Sequence, residues 1–257
     1  MKRAILCLAL LLSSLTVLPM PGNRSALAEQ ELIVSAAASL TNVFGQIGRR
    51  FENANPGVKV IFNFAASGPL LQQIEKGAPV DVFASADQKS MDQAMEKNLI
   101  LPETRKDFVS NKLVLIVPKD SRLPVKGLQD LGLEEVSKVC LGNPETVPAG
   151  RYTRELLSNE GLWETLKPKF IYGNSVRQVL DYVGRGEVDA GFVFATDAAI
   201  AKDKVRVVVA AEKLKPILYP VAVVATARAK ETAQRFVDCV LSEEGREIFS
   251  RYGFGRP

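Results

Sequence analysis

Apolar residues in this chain form short unbroken runs that give way to stretches where they recur every three or four positions. That is the pattern of strands followed by helices. Leu32-Ile33-Val34 is the first run, and Leu40, Val43, Phe44, Ile47 and Phe51 form the first helical face. Asn55-Pro56-Gly57 turns the chain into a strand over residues 58–64. Ala65-Ala66-Ser67-Gly68-Pro69 then opens a helix with Leu70, Leu71 and Ile74 on one side. After a break at Gly77-Ala78-Pro79 come a strand over 80–85 and a helix carrying Met91, Met95 and Leu99. Strands alternating with helices across short links predict a mostly parallel sheet covered on both faces.

Residues 109–118 break the alternation, because Leu113-Val114-Leu115-Ile116-Val117 runs into Pro118 with no helix behind it. We read it as a crossover strand into a second lobe, where the pattern restarts. Strands are expected at 138–141, 170–172, 188–194 and 205–210. One helix opens at Pro148-Ala149-Gly150, and another, capped by Gly173-Asn174-Ser175, carries Val176, Val179, Leu180 and Val183. Residues 219–225 form a further strand without a helical partner, mirroring 113–117 and returning the chain to the first lobe, where 231–250 closes as helix. The fold class is therefore α/β: two lobes, each a mostly parallel sheet flanked by helices, joined by two crossover strands. The first lobe takes residues 29–108 and 218–257, the second 109–217. Two lobes on two crossovers form a hinge suited to closing on a ligand.

The first 28 residues stand apart. Lys2-Arg3, an apolar or small run over 4–18, and Ala26-Leu27-Ala28 read as an export signal cleaved before Glu29. The run is short for a membrane span, no later segment is long enough to be one, and Cys7 lies inside it rather than at its end. A soluble exported protein is expected. Cleavage removes Lys2, Arg3 and Arg24 but no acid, taking the formal charge from +4 to about +1, so the charge gives no ground for nucleic-acid binding. Cys140 and Cys239 remain, both in apolar periodic segments, and two buried free thiols are expected rather than a bridge. The absence of histidine excludes His-based triads, His metal sites and a His pH switch.

Two junctions of the first lobe are alike: Ala36-Ala37-Ala38-Ser39-Leu40 and Ala65-Ala66-Ser67-Gly68-Pro69 each place a serine at a strand's carboxyl end where a helix begins. Either serine can cap its helix, or offer hydroxyl and amide to a ligand at the edge of an open α/β sheet. The second lobe has matching helix starts at Ala149 and Val176, which offer only N–H groups. Four helix starts facing one cleft would trap an anion with neutral donors. A serine nucleophile at Ser39 or Ser67 is the competing reading; it lacks histidine, and no serine is followed three positions later by lysine.

Several segments carry a specific resemblance. Ala36-Ala37-Ala38-Ser39-Leu40-Thr41-Asn42, the stretch from Gly77 to Asp87, and Gly142-Asn143-Pro144-Glu145-Thr146-Val147-Pro148-Ala149-Gly150 are the main ones. Tyr219-Pro220-Val221-Ala222-Val223-Val224 and the tail from Ile248 to Phe254 fit as well. Through them the chain resembles the periplasmic molybdate-binding proteins of ABC-type molybdate transporters. The resemblance implies a type II solute-binding fold with no cofactor. Molybdate or tungstate would be held through its oxygens, without direct metal ligands, by the hydroxyl and amide of Ser39 and Ser67 and the amides of Ala149 and Val176. It also implies a soluble periplasmic monomer that delivers to a membrane permease. The family's fifth ligand, a tyrosine hydroxyl, falls at Phe194, which has none. A donor lost from a buried oxyanion is worth about 1–3 kcal/mol unless water, Thr196 or Thr41 replaces it. The alternative cargo is sulfate, thiosulfate or a small organic anion. An effector module of a transcription regulator is disfavoured by the export signal and the missing DNA-binding segment.

Overall fold

The computed structural model describes residues 30–211 and 214–257; the expected export signal at 1–28 lies outside the described residues. β1 (Gln30–Ala37) passes through one 3-10 turn, Ala38–Leu40, into α1 (Thr41–Ala54). β2 (Val58–Ala65), α2 (Ser67–Glu75), β3 (Val82–Ala84) and α3 (Gln88–Glu96) follow. β4 (Lys106–Asn111) and β5 (Leu113–Pro118) come next, and then β6 (Val139–Gly142), α4 (Pro148–Asn159), α5 (Trp163–Leu166), β7 (Phe170–Gly173), α6 (Val176–Gly184), β8 (Ala190–Phe194) and α7 (Ala195–Ile200). β9 (Val205–Ala210), β10 (Ile217–Val223), α8 (Lys230–Leu241) and α9 (Glu243–Arg251) complete the chain.

The strands form two five-stranded sheets, ordered β2-β1-β3-β10-β4 and β7-β6-β8-β5-β9. In each sheet four strands run one way and the fourth in order, β10 or β5, runs against both neighbours. These reversed strands are the two segments that lack a helical partner in the sequence. A strand with no crossover helix cannot join its sheet in parallel through a short connection, so it enters antiparallel. The sheets thus share one topology and make two lobes of mixed α/β structure.

The stretch 109–118, expected as one crossover strand, is two strands divided at Lys112. Asn111 pairs with Ile217 in the first sheet, whereas Leu113 pairs with Phe194 in the second. The transfer falls at the polar Ser110-Asn111-Lys112, which neither glycine nor proline marks, so the sequence reads as one strand across it. The strand expected at 80–85 shrinks to Val82–Ala84, because Asp81 turns its carboxylate to the amides of Ile33 (2.8 Å) and Arg228 (2.9 Å). The closing helix is also two. Ser242 is extended and accepts the amide of Gly245 (3.0 Å), capping α9 where α8 stops.

Burial explains why α1 sits where it does. Val43, Phe44, Ile47 and Phe51 are buried, and the Phe44 ring meets those of Phe62, Phe108, Phe236 and Phe249 at 5.9–6.1 Å. Such pairs add roughly 0.5–1.5 kcal/mol each beyond their buried area. They bind the start of the chain to α8 and α9 at its end, fixing the loop after β1. Register does the rest. Ala37 of β1 lies level with Ala65 of β2, so the helices α1 and α2 leave the sheet from the same edge. Gly142 and Gly173 are level in the second sheet, which likewise aligns the starts of α4 and α6. Cys140 is buried on β6 and Cys239 half-buried on α8, in different lobes, and both are free thiols.

Candidate binding cleft between the lobes

Four helix starts converge on one small cavity. Ser67 is the first residue of α2, Val176 the first of α6, Ala149 the second of α4, and Ser39 the middle residue of the 3-10 turn. Amides at such positions have no acceptor within their own helix. At three of the starts the preceding residue is Ala37, Ala66 or Val147, none of which supplies a side-chain cap. Only α6 is capped, by Ser175 accepting the amide of Gln178 (3.2 Å), and that bond leaves the Val176 amide untouched.

The cavity has a volume of about 10 Å³ and is lined by Ser39, Ser67, Ala149, Val176 and Phe194, with Ala37, Ala38, Ala66, Ala86, Val147 and Pro148. That is about the room for one small species, far below the roughly 300–1,000 Å³ typical of pockets for larger organic ligands. Every lining residue is uncharged. An anion there would rest on helix N-termini and hydroxyls, each end carrying a partial positive charge. Among the described residues, no group of three or more His, Cys, Asp or Glu could hold a metal ion.

All five residues singled out from the sequence therefore line the same cavity. The capping alternative for the two serines is corrected, since neither hydroxyl caps its helix. Ser67 Oγ accepts the amide of Ala86 (3.0 Å), and Ser39 Oγ lies 3.0 Å from Tyr219 Oη. Phe194 is buried, its ring edge-on to Tyr219 at 5.7 Å. The two threonines considered as substitutes for its missing hydroxyl are engaged elsewhere. Thr41 donates to the carbonyl of Ala38 (2.7 Å), and Thr196 Oγ1 accepts from Asn111 Nδ2 (2.9 Å). Neither lines the cavity.

Two arginines clasp the lobes around the cavity without entering it. Arg151 of α4 reaches across to Asp87 (Nε to Oδ2, 2.7 Å) and Ser90 Oγ (3.1 Å) at the start of α3. Arg177 of α6 reaches Asn42 Oδ1 (2.8 Å) and the Ser39 carbonyl (3.3 Å), while its Nε holds Asp197 Oδ1 at 2.5 Å. Asp197 is fully buried. Burial pushes its pKa up to about 6, and the Arg177 charge opposes that rise. The backbones touch as well: the Gly68 amide donates to the Thr146 carbonyl (3.1 Å), and a Cβ on Gly68 would stand 2.4 Å from that oxygen.

Tyr219, Asn111, Arg151, Arg177 and Gly68 escaped the sequence reading as site residues. Their partners lie far along the chain, Tyr219 being 180 positions from Ser39. For the arginines and Gly68, the only available signal was position, one or two residues beyond each picked helix start.

The comparisons agree with this architecture. The family profile described as bacterial extracellular solute-binding protein matches residues 32–255. The molybdate-binding protein ModA of Escherichia coli is 39% identical over 88% of this chain and 89% of its own length. ModA of Haemophilus influenzae is 36% identical over 88% and 91%. The structure of the Azotobacter vinelandii periplasmic molybdate-binding protein superposes with a TM-score of 0.78 at 24% identity, covering 88% of this chain and 99% of that one, a likeness of fold. Two matched lobes, a cavity at their joint and a profile spanning nearly all described residues lead to one assignment: the chain belongs to the bacterial extracellular solute-binding protein family.

Proposed function

We propose that this protein captures molybdate or tungstate in the cleft between its lobes and delivers it to an ABC permease as a soluble, monomeric periplasmic component. The observation that carries the reading is the uncharged cavity where Ser39, Ser67, Ala149 and Val176 bring four helix starts together. A dianion stripped of water needs many hydrogen-bond donors, and neutral donors at helix starts supply them without burying a second full charge. The hinge runs through Lys112 and the connection between β9 and β10, where the chain passes from one sheet to the other. The relatives named for molybdate binding support the choice of cargo.

Hydrolysis is disfavoured by the partners of the serines. Ser67 Oγ faces an amide, which is a donor and not a base. Ser39 Oγ faces Tyr219, whose phenol burial pushes well above its ordinary value. The Cys140 thiol is likewise pushed up to about 12 by burial, which leaves it inert.

Calorimetric titration of residues 29–257 with molybdate, tungstate and sulfate tests the reading. Molybdate and tungstate are expected to bind at least about a hundredfold tighter than sulfate, a gap of about 2.7 kcal/mol, because the ions share charge and shape but not size. Tighter sulfate binding would reassign the cargo, and no binding of any of the three would end the proposal.

A further inference from the structure

The hydrogen bonds behind Ser39 point to Tyr219 and Asn111 as positioning residues that fix the direction of the Ser39 hydroxyl hydrogen; this rests on the function proposed above. The chain of bonds starts at the hinge. The Lys112 amide donates to the Asn111 side chain at 2.9 Å, so the atom it meets is the amide oxygen. The Asn111 nitrogen must then face the other way, where it stands 3.3 Å from Tyr219 Oη and 2.9 Å from Thr196 Oγ1. Tyr219 is fully buried and its hydroxyl receives an N–H from Asn111, so its single hydrogen goes to its other neighbour, Ser39 Oγ, at 3.0 Å. Ser39 thereby accepts from behind, and its own hydrogen is left to point into the cavity it lines.

Ser67 has the same arrangement by a different route. Its oxygen accepts the Ala86 amide at 3.0 Å, and its hydrogen is likewise left for the cavity. Each serine has a donor placed behind it, so each must donate forward. A hydroxyl without such a neighbour would spread its hydrogen over several rotamers and be half acceptor to an arriving anion. Bonds in a chain also strengthen one another. The Asn111–Tyr219–Ser39 chain differs from the Ser67 bond in one respect. It begins beside the hinge residue and contacts Thr196 on α7 of the second lobe, so it connects the joint of the molecule to a donor in its cleft.

The test is a double-mutant cycle read by molybdate calorimetry: the unaltered protein, Tyr219→Phe, Ser39→Ala and the pair, with thermal unfolding of each ligand-free protein alongside. Tyr219→Phe is expected to weaken binding about 3–10-fold, the worth of one orienting hydrogen bond, and by less than about twofold when Ser39 is already alanine. Asn111→Ala is expected to show the same dependence on Ser39. A merely structural role for Tyr219 would weaken both backgrounds by one factor, and that result, or no effect on binding at all, overturns the inference. If Ser39→Ala itself binds molybdate as tightly as the unaltered protein, the proposed site is wrong and this inference falls with it.

Discussion

Phe194 forms part of the cavity wall and packs on Tyr219, at the position where the resemblance to molybdate-binding proteins implies a tyrosine ligand. Restoring that hydroxyl by Phe194→Tyr is expected to tighten molybdate binding about 3–10-fold, the range of one neutral hydrogen bond. Calorimetry decides it, and an unchanged constant would show that the ring's far edge does not face the cargo. Asp197 carries a second expectation at this scale. It is buried between Arg177, the backbone at Phe194 and the phenol of Tyr219, and one of its oxygens has no hydrogen-bond partner. Its folded pKa, about 6, lies above the ordinary 3.8. The group therefore favours the folded state below pH 3.8 and loses that contribution as pH rises through about 6. Going from pH 7.5 to 5.5 should recover about 1 kcal/mol from this residue. That corresponds to a melting-temperature gain of about 2–4 °C for a chain of this size. Asp197→Asn should abolish that part of the pH dependence; an identical slope in both proteins would refute the assignment. Above pH 7 the carboxylate is mostly charged and the cavity lining holds no titrating group, so cargo affinity should there be nearly flat.

At the scale of elements, the cleft is a meeting of helix starts, and two glycines separate what holds a lobe together from what brings the lobes together. Gly150 of α4 packs on β6 within the second lobe, and a Cβ there would stand 1.9 Å from the Gly142 carbonyl. Gly68 of α2 faces Thr146 of the opposite lobe. Gly150→Ala should lower the stability of the ligand-free protein by about 1–3 kcal/mol through overpacking. Gly68→Ala should leave ligand-free unfolding nearly unchanged while weakening molybdate at least about tenfold, since the clash arises only on closure. Unfolding curves and calorimetry on the two variants distinguish these outcomes, and a destabilised Gly68→Ala protein would contradict the division. The same contrast explains what the sequence made legible. Helix starts are local: small residues before Ser39 and Ser67 and Pro148 before Ala149, with periodic apolar residues after, suffice to place them. The transfer at Lys112 was hidden because neither glycine nor proline marks the polar Ser110-Asn111-Lys112, and the break at Ser242 because helical apolar spacing runs across it. The bonds from Tyr219 to Ser39 and from Arg177 to Ser39 join segments with no sequence relation. Tyr219 in particular reads as a strand residue in an apolar run, and only the sheet order, which puts β10 beside β3 and β4, sets its hydroxyl behind the cavity.

For the whole molecule, closure depends on a balance between the hinge and the interlobe contacts, which the arginine clasps tilt. Arg151 joins α4 to α3 across the cleft with a charge-assisted bond to Asp87 and a second bond to Ser90, and both members of the ion pair are largely shielded from water. Asp87 also has partners within the first lobe, Ser85 Oγ at 3.2 Å and the amide of Ser90 at 3.1 Å, which opening of the lobes would leave in place. Removing the arginine therefore does not strand a buried charge in the open form, and the loss falls on the closed form alone. Arg151→Ala should weaken molybdate by about 5–30-fold, the equivalent of about 1–2 kcal/mol for a shielded pair whose carboxylate retains other donors. Because encounter takes place in the open form, the change should appear in the dissociation rate, with association nearly unaltered. Arg151→Lys should not restore it, since a single ammonium cannot span Asp87 and Ser90 as the guanidinium fork does. Stopped-flow displacement gives the rates, and small-angle scattering with saturating molybdate gives the compactness of the loaded form. A loss found instead in the melting temperature of the ligand-free protein would mean that Arg151 supports a single lobe and that closure is held by the cargo and Arg177.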